Sequence, residues 1–337
     1  MITVVADNEA FECFPVRHVD VEGLTVAVVV PCFGATVTAF SFQASTWAWP
    51  LPVIEAVDCA SLLTRPTSYG MPILGPTPGR VGVNQSGRFG YRGKEYSITP
   101  TRHGFLRNLK WHVRDHGVNT ITCTVAVSPG DIARSNDAFP YEFIAEHRIK
   151  VGPCTLTSTI TLSNPSTIIQ PINVGWHPYL HRGGACRVFI PADSRWELDS
   201  AAEPIPTGRI IPVGDHDDFR NGRWLDVGDH WDDIFTDLRY EADGISCWVE
   251  EQTPVTLSGG AEALVRVRRS VSGDSLSVPH LQLYTPAGRS AIALEPLTAP
   301  PDALNLLHRG HARADVCELE PGSIAEFSIT LSIDIFS

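Results

Sequence analysis

Two separate segments of the chain each place one ionisable residue among apolar, aromatic and proline neighbours. GWHPYL, at 175–180, contains His177, and LEPLTAPPDALN, at 294–305, contains Glu295. A histidine titrates near neutral pH, and a carboxyl group between a leucine and a proline is expected to be partly desolvated, which brings its pKa closer to neutrality. The two side chains are therefore a candidate acid and a candidate base for a reaction that moves two protons together.

Each of these residues also has a purely structural interpretation. A histidine beside Trp176 is more often a hydrogen-bonded core residue than a catalytic group. Glu295 could simply form an ion pair with an arginine such as Arg289. The choice between these interpretations depends on the other polar residues that accompany the pair.

Three further segments supply polar side chains suited to a sugar. GPTPGRVGVNQSGRF contains Arg80, TRHGFLRNLKW contains His103, and HWDDIFTDL contains Asp232. Sugar hydroxyls need directional donors and acceptors, and the C–H face of a sugar ring favours an aromatic platform, for which Trp176 is a candidate. Taken singly, the arginine could form a surface salt bridge, the histidine and aspartate could belong to turns, and the tryptophan could be buried in the core.

The histidine and cysteine spacings do not predict a metal site. His177 and His181 would share one face only in a helix, and Pro178 and Gly183 make a helix improbable there. The eight cysteines are widely spaced and include no CxxC pair, which argues against a zinc site and against a disulfide framework. We expect reduced and mostly buried thiols at Cys13, Cys32, Cys59, Cys123, Cys154, Cys186, Cys247 and Cys317.

Composition and charge exclude several classes of partner. The 337 residues include 38 acidic and 26 basic ones, and the net charge of -12 repels polyanions such as nucleic acids. The longest apolar stretch, at 24–33, is too short to span a bilayer and contains Pro31. The start of the chain, MITVVADNEAFE, lacks the basic residues and long apolar core of a secretory signal. We therefore predict a cytoplasmic protein with no nucleic-acid or membrane partner.

The elements that must position these residues are predicted to be β-strands, because apolar residues alternate with period two along much of the chain. Turn segments such as HGVN at 116–119 and SGD at 272–274, with 27 glycines and 26 prolines overall, disfavour long helices. Strands joined by loops rather than by crossover helices favour packed antiparallel sheets. We predict an all-β protein, a large antiparallel β-sandwich that forms a single domain over residues 1–337.

The ordered set of motifs resembles the aldose 1-epimerase (galactose mutarotase) family from about Gly34 to near the C-terminus. The motifs are a GR pair at the end of the proline-containing segment GPTPGR, HGF followed by a tryptophan, GWHPYL, DxxF, and LEP with PDALN downstream. Any one of them is a weak signal, but five in the same order are a specific one. The resemblance implies a supersandwich fold of the galactose mutarotase type, with no metal and no organic cofactor.

The resemblance also implies roles for individual residues. Glu295 of the LEP motif is expected to be the general base, and His177 of the HPY motif the general acid. Arg80, His103 and Asp232 match the substrate-binding positions. The chain departs from the common pattern in two places, with VGVNQS after the GR motif and HPYLHR where many members have HSYFNL. These departures leave the identity of the sugar open.

The expected reaction is the interconversion of the α and β anomers of a free aldose such as glucose or galactose, by a monomer or homodimer. One alternative is a hexose-6-phosphate mutarotase, because HGFLRNLKW is similar to the motif found there and Arg102 and Arg107 could bind a phosphate. A second alternative is a non-catalytic sugar-binding protein on the same fold. A third is a glycoside hydrolase that uses Glu295 and Asp232 as its carboxylate pair.

Overall fold

The computed structural model describes residues 2–6, 9–55, 57, 61, 68–129, 139–239, 244–273 and 278–336. Strands dominate these ranges, and their side chains alternate between buried and exposed positions as period two predicts. In Gly23–Val30, for example, Thr25, Ala27 and Val29 are buried, and the alkyl side chains of Leu24, Val26 and Val28 between them are partly exposed. The period-two pattern therefore predicts the strand, but the more deeply buried face carries Thr25, Ala27 and Val29 rather than Leu24, Val26 and Val28.

The described strands, in chain order, have the following bounds. They are β1 Ile2–Ala6, β2 Glu9–Val19, β3 Gly23–Val30, β4 Thr36–Ala44, β5 Leu51–Pro52, β6 Ile73–Leu74, β7 Arg88–Tyr91, β8 Lys94–Ser97, β9 His112–His116, β10 Thr120–Val127, β11 Phe143–Gly152, β12 Thr155–Ser163, β13 Gln170–Pro171, β14 Gly175–Trp176, β15 Tyr179–His181, β16 Cys186–Phe189, β17 Ala192–Leu198, β18 Pro206–Pro212, β19 Arg223–Leu225, β20 Asp232–Leu238, β21 Ile245–Thr256, β22 Glu262–Gly273, β23 His280–Tyr284, β24 Ala291–Leu297, β25 Glu318–Leu319 and β26 Ile324–Phe336. The short α-helix α1 covers Ala303–His308, and 3-10 turns cover Val83–Gln85, Leu106–Asn108 and Ala312–Ala314.

Two large sheets form the body of the fold. The nine-stranded sheet has the order β19-β16-β21-β22-β26-β12-β11-β10-β9. The eight-stranded sheet has the order β18-β17-β20-β23-β24-β14-β6, with β15 also pairing with β24. A five-stranded sheet contains β1 to β5, and two small ladders join β7 to β8 and β13 to β25. The strand pairs in both large sheets are antiparallel, so the predicted all-β antiparallel architecture is confirmed.

The main hydrophobic core draws side chains from both large sheets. Ile160 of β12 and Leu331 of β26 belong to the same buried cluster as Leu283 of β23 and Leu294 of β24. Burial of apolar surface between facing sheets is what stabilises a β-sandwich. In the part of the chain that the structure describes, no helix is long and apolar enough to cross a membrane.

Four of the seven cysteines that the structure describes are buried and three are partly exposed, in agreement with the expectation of mostly buried thiols. Cys123, Cys186 and Cys247 are buried and form no disulfide, whereas Cys154 is partly exposed. Cys59 lies outside the described residues.

Strand β24 is the element that organises the candidate site. All seven of its residues are buried, and it is an interior strand that pairs with β23 along one edge and with β14 and β15 along the other. A carboxyl group on such a strand is removed from bulk water, and Glu295 occupies this position.

Candidate active site

His177 and Glu295 lie side by side although they are far apart in the chain. Gly175 pairs with Leu297 and Tyr179 pairs with Ala293, so the same antiparallel register places His177 opposite Glu295. A proline cannot donate a ladder hydrogen bond, and the strand is interrupted between β14 and β15 where Pro178 follows the histidine. The imidazole Nε2 lies 3.1 Å from the carboxylate Oε1.

The two groups are in contact without a well-formed hydrogen bond between them. Both carboxylate oxygens of Glu295 are buried, and neither finds a hydrogen-bond partner among the residues that the structure describes. The side chains are only 5% and 1% exposed for His177 and Glu295 respectively. The hydrogen-bonding capacity of the carboxylate is therefore available to a ligand.

Both groups line a cavity of about 360 Å³, which is of the size that holds a small molecule. The wall is rich in charged and hydroxyl-bearing side chains. Its lining residues are Ser68, Gly79, Arg80, Arg102, His103, Arg107, His177, Tyr179, Asp232, Gln282, Tyr284, Pro286, Ala287, Arg289 and Glu295.

Burial shifts the pKa values of both central groups toward their neutral forms. Desolvation, followed by the positive charge of Arg107, lowers the pKa of His177 well below its usual value. Desolvation, followed by the negative charge of Asp232, raises the pKa of Glu295 well above its usual value. These shifts favour a pair that carries one proton in total, located on Glu295. The 3.1 Å separation places that proton within reach of His177.

His103 presents a hydrogen-bond donor to the cavity. The backbone N–H of Gly79 donates to its Nδ1 at 3.1 Å, so this nitrogen holds the lone pair. Desolvation, followed by the charge of Arg107, lowers the pKa of His103 well below its usual value and keeps the ring neutral. A neutral ring with its lone pair on Nδ1 carries its proton on Nε2.

His103, His177 and Glu295 also bring their ligand atoms within 4.8 Å of one another, which is close enough to hold a metal ion. The hydrogen bond from Gly79 argues against that use of His103. A cation on Nδ1 would displace the backbone N–H, and a cation on Nε2 would require a proton on Nδ1 that points at the same N–H. The donor set fits a neutral hydrogen-bonding histidine better than a metal ligand.

Arg80 and Asp232 form one side of the cavity as an ion pair. Arg80 Nη2 donates to Asp232 Oδ2 at 2.5 Å, and Gln282 Nε2 donates to Asp232 Oδ1 at 2.5 Å. A carboxylate only accepts hydrogen bonds, so the amide nitrogen of Gln282 must face Asp232 and its Oε1 must point away. That Oε1 is buried and has no hydrogen-bond partner within the described ranges. Gln282 therefore offers an acceptor to a ligand.

Trp176 does not line the cavity, so the prediction that it forms an aromatic platform is wrong. Its side chain is fully buried, and its indole N–H donates to Ser158 Oγ at 2.8 Å. Successive side chains of an extended segment point to opposite faces, so a histidine that faces the cavity directs the preceding tryptophan into the core. The aromatic side chains at the cavity are Tyr179, stacked on His177 at 4.3 Å between ring centroids, and Tyr284.

Arg289 does not pair with Glu295, which removes the structural interpretation of that carboxylate. Its Nε donates to Glu55 Oε2 at 2.9 Å, and its guanidinium lies over the ring of Tyr179 at 4.1 Å. A cation held by a carboxylate and an aromatic face is fixed in place. Arg289 thus forms a rigid part of the cavity wall.

Four further residues at or beside the cavity are not among the predicted site residues, and strand alternation identifies the first three of them: Tyr179, Gln282, Tyr284 and Glu203. Tyr179 follows His177 by two positions and so faces the same side. Gln282 pairs with Glu295 across β23 and β24, and Tyr284 is two positions further along. Glu203 lies in a loop and carries no such signal.

A comparison with protein families decides the relationship that the motifs suggest. The family model for aldose 1-epimerase matches residues 20–332. The chain belongs to the aldose 1-epimerase family. The chain is also similar to the uncharacterised protein YihR of Escherichia coli K12. The two are 22% identical over 310 residues, which are 87% of this chain and 90% of YihR.

Solved structures show the same fold. A galactose mutarotase-like protein from Clostridium acetobutylicum superimposes with a TM-score of 0.74 at 19% identity, covering 99% of this chain and 98% of its own. The GalM/aldose epimerase homologue from C. elegans has a TM-score of 0.74 at 18% identity, covering 97% of this chain and 100% of its own. The predicted galactose mutarotase-like sandwich is thereby confirmed.

Proposed function

We propose that this protein is an aldose 1-epimerase that interconverts the α and β anomers of free aldoses such as glucose or galactose. The observation that supports this most directly is the contact between His177 and Glu295 at a polar cavity of about 360 Å³. The anomeric O1 and the ring O5 of an aldose are bonded to the same carbon. An acid and a base that serve these two oxygens must therefore be near neighbours.

In the proposed reaction, the Glu295 carboxylate removes the proton from O1 while the protonated His177 donates a proton to O5. The C1–O5 bond breaks and C1=O1 becomes an aldehyde. After rotation about C1–C2, the roles reverse. Neutral His177 takes the proton back from the O5 hydroxyl as O5 attacks C1, and neutral Glu295 gives its proton to O1, so the ring closes as the other anomer. No covalent intermediate with the protein forms, and each positioned acid or base contributes about 10² to 10⁴-fold.

The protonation state of the pair suits this cycle. Ring opening converts ionised Glu295 and protonated His177 into neutral Glu295 and neutral His177, which is the state that burial favours. For the reaction to start from a closed sugar, one proton must pass from Glu295 to His177. A substrate hydroxyl that donates to Glu295 stabilises the carboxylate and assists this transfer.

The surrounding residues supply the contacts that a sugar requires. His103 Nε2–H is a donor and Gln282 Oε1 an acceptor, while Tyr179 and Tyr284 provide aromatic surface. Such fixed contacts hold the hemiacetal in one orientation relative to acid and base. The glycoside hydrolase alternative has less support, because both oxygens of Asp232 are already engaged as hydrogen-bond acceptors.

Polarimetry of freshly dissolved α-D-glucose and α-D-galactose tests this function. The wild-type protein is expected to accelerate the decay of optical rotation, and Glu295→Gln should lower kcat by about 10² to 10⁴-fold because the amide cannot accept the O1 proton. Glu326→Gln, an exposed glutamate on β26, is the control for loss of one negative charge. Decay at the uncatalysed rate with wild-type protein on a panel of free aldoses would refute the proposal.

A further inference from the structure

We propose that Glu203 is a specificity-determining residue that neutralises the arginines at the cavity mouth and so selects uncharged sugars over sugars with an anionic group. This inference rests on the proposed function, because it names the substrate class of the same site. Glu203 belongs to none of the motifs through which the chain resembles its family.

The carboxylate of Glu203 joins two arginines of the cavity wall. Its Oε2 accepts a hydrogen bond from Arg80 Nε at 2.9 Å and another from Arg102 Nη2. Arg80 is only 10% exposed, whereas Arg102 and Glu203 are 38% and 40% exposed. The three groups therefore run from the inside of the cavity to the solvent.

A closed loop holds Glu203 in this place. The segment between β17 and β18 is joined at its base by the backbone hydrogen bond from Asp199 N to Ile205 O, at 3.0 Å. The side chain of Asp199 accepts hydrogen bonds from the backbone N–H groups of Ala201 and Ile205, both at 3.2 Å. A loop closed by its own hydrogen bonds presents its side chains in a defined position.

The charges around the cavity explain why this carboxylate matters. Four arginines line the cavity, and converging arginines would favour a phosphate or carboxylate group. Three of these arginines, however, already pair with carboxylates of the protein. Arg80 forms ion pairs with both Asp232 and Glu203, and Arg102 pairs with the same Glu203. Arg289 pairs with Glu55. Burial opposes the ionisation of Glu203, but hydrogen bonds and charge from both arginines outweigh it and lower its pKa. At neutral pH an anionic sugar would therefore meet a negative group between the two arginines.

Isothermal titration calorimetry with glucose 6-phosphate and with glucose tests the role of Glu203. Glu203→Gln keeps the size of the side chain and removes its charge. We expect this variant to bind glucose 6-phosphate about fivefold more tightly than the wild type does at low ionic strength, with little change for glucose. Because the effect is electrostatic and solvent-exposed, it should shrink when salt is raised.

Glu197→Gln is the matched control. Glu197 lies on β17 close to the same loop and pairs with Arg209, so the substitution changes the net charge equally without affecting the cavity. The affinity of the Glu197→Gln variant for glucose and for glucose 6-phosphate should equal that of the wild type. If Glu203 were only structural, Glu203→Gln would differ from the wild type in thermal stability but would not gain salt-dependent affinity for glucose 6-phosphate.

The inference is overturned if wild type and Glu203→Gln bind glucose 6-phosphate equally well, or if neither binds it. It is also overturned if Glu197→Gln gains as much affinity for glucose 6-phosphate as Glu203→Gln does, or if the wild type already prefers glucose 6-phosphate to glucose. Polarimetry on the same samples separates this inference from the proposed function. If no free sugar is turned over, the epimerase assignment fails, while the calorimetric comparison still decides the role of Glu203.

Discussion

His177 Nε2 lies 3.1 Å from Glu295 Oε1 without hydrogen bonding to it. The contact arises from strand register, since His177 lies in the break between β14 and β15, opposite Glu295 of β24, with which both of those strands pair. Two ionisable groups that touch in a buried site affect each other's titration, so the pair and not either residue alone binds and releases protons. The consequences of this relationship can be measured.

The pH dependence of kcat/KM should be bell-shaped. Activity is lost at low pH when the pair takes up a second proton, and the lowered pKa of His177 places this limb below its ordinary value of 6.5. Activity is lost at high pH when the pair gives up its last proton, and the raised pKa of Glu295 places that limb well above the ordinary value of 4.5.

Asp232→Asn should move the alkaline limb to lower pH. After desolvation, the charge of Asp232 is the largest cause that raises the pKa of Glu295, so its removal lets Glu295 ionise more readily. Polarimetric pH profiles of wild type, Asp232→Asn and Asp233→Asn measure the effect. Asp233 pairs with Arg195, so the control substitution Asp233→Asn should leave the alkaline limb at its wild-type pH. An unchanged alkaline limb in Asp232→Asn would contradict the electrostatic account.

Trp176→Phe should reduce stability without weakening sugar binding. The substitution removes the hydrogen bond to Ser158 and leaves unfilled space in the core, which together cost about 1–3 kcal/mol in the free energy of unfolding. KM should change by less than about twofold, since binding free energy is unaffected when no ligand contact is lost. Urea unfolding and steady-state kinetics give both quantities.

Tyr179→Leu is the comparison for this experiment, because Tyr179 lines the cavity and stacks on His177. It should raise KM more than Trp176→Phe does. The reverse order would restore Trp176 as the aromatic platform.

Gly104→Ala should destabilise the HGF segment that carries His103. Gly104 has φ of 63°, and a Cβ at this position would collide with the carbonyl oxygen of Gly75. We expect a loss of about 2 kcal/mol or more in the free energy of unfolding, measured in urea. Gly259→Ala, at an open position with no neighbouring atom within 4 Å of a Cβ, should change stability by less than about 0.5 kcal/mol. Equal effects of the two substitutions would show that the close approach to Gly75 does not constrain this residue.

Much of the fold and of the candidate site could be predicted from the sequence. Period-two alternation indicated antiparallel sheets because a half-buried strand must present apolar side chains at every second position. The order of the motifs selected Arg80, His103, His177, Asp232 and Glu295, and the structure brings all five to one cavity. The same alternation implies that a tryptophan next to a histidine that faces the cavity must point the other way, as Trp176 does.

The strand pattern, the family and the identities of the candidate acid and base can all be inferred from the sequence, because they are properties of local spacing and motif order. Three contacts become visible only in three dimensions: His177 touches Glu295, Arg289 pairs with Glu55 instead of Glu295, and Glu203 forms ion pairs with Arg80 and Arg102. These contacts depend on strand register and on a loop closed by its own hydrogen bonds. Register and loop position are fixed by packing across sheets, and that information is spread over the whole chain rather than written in any one segment.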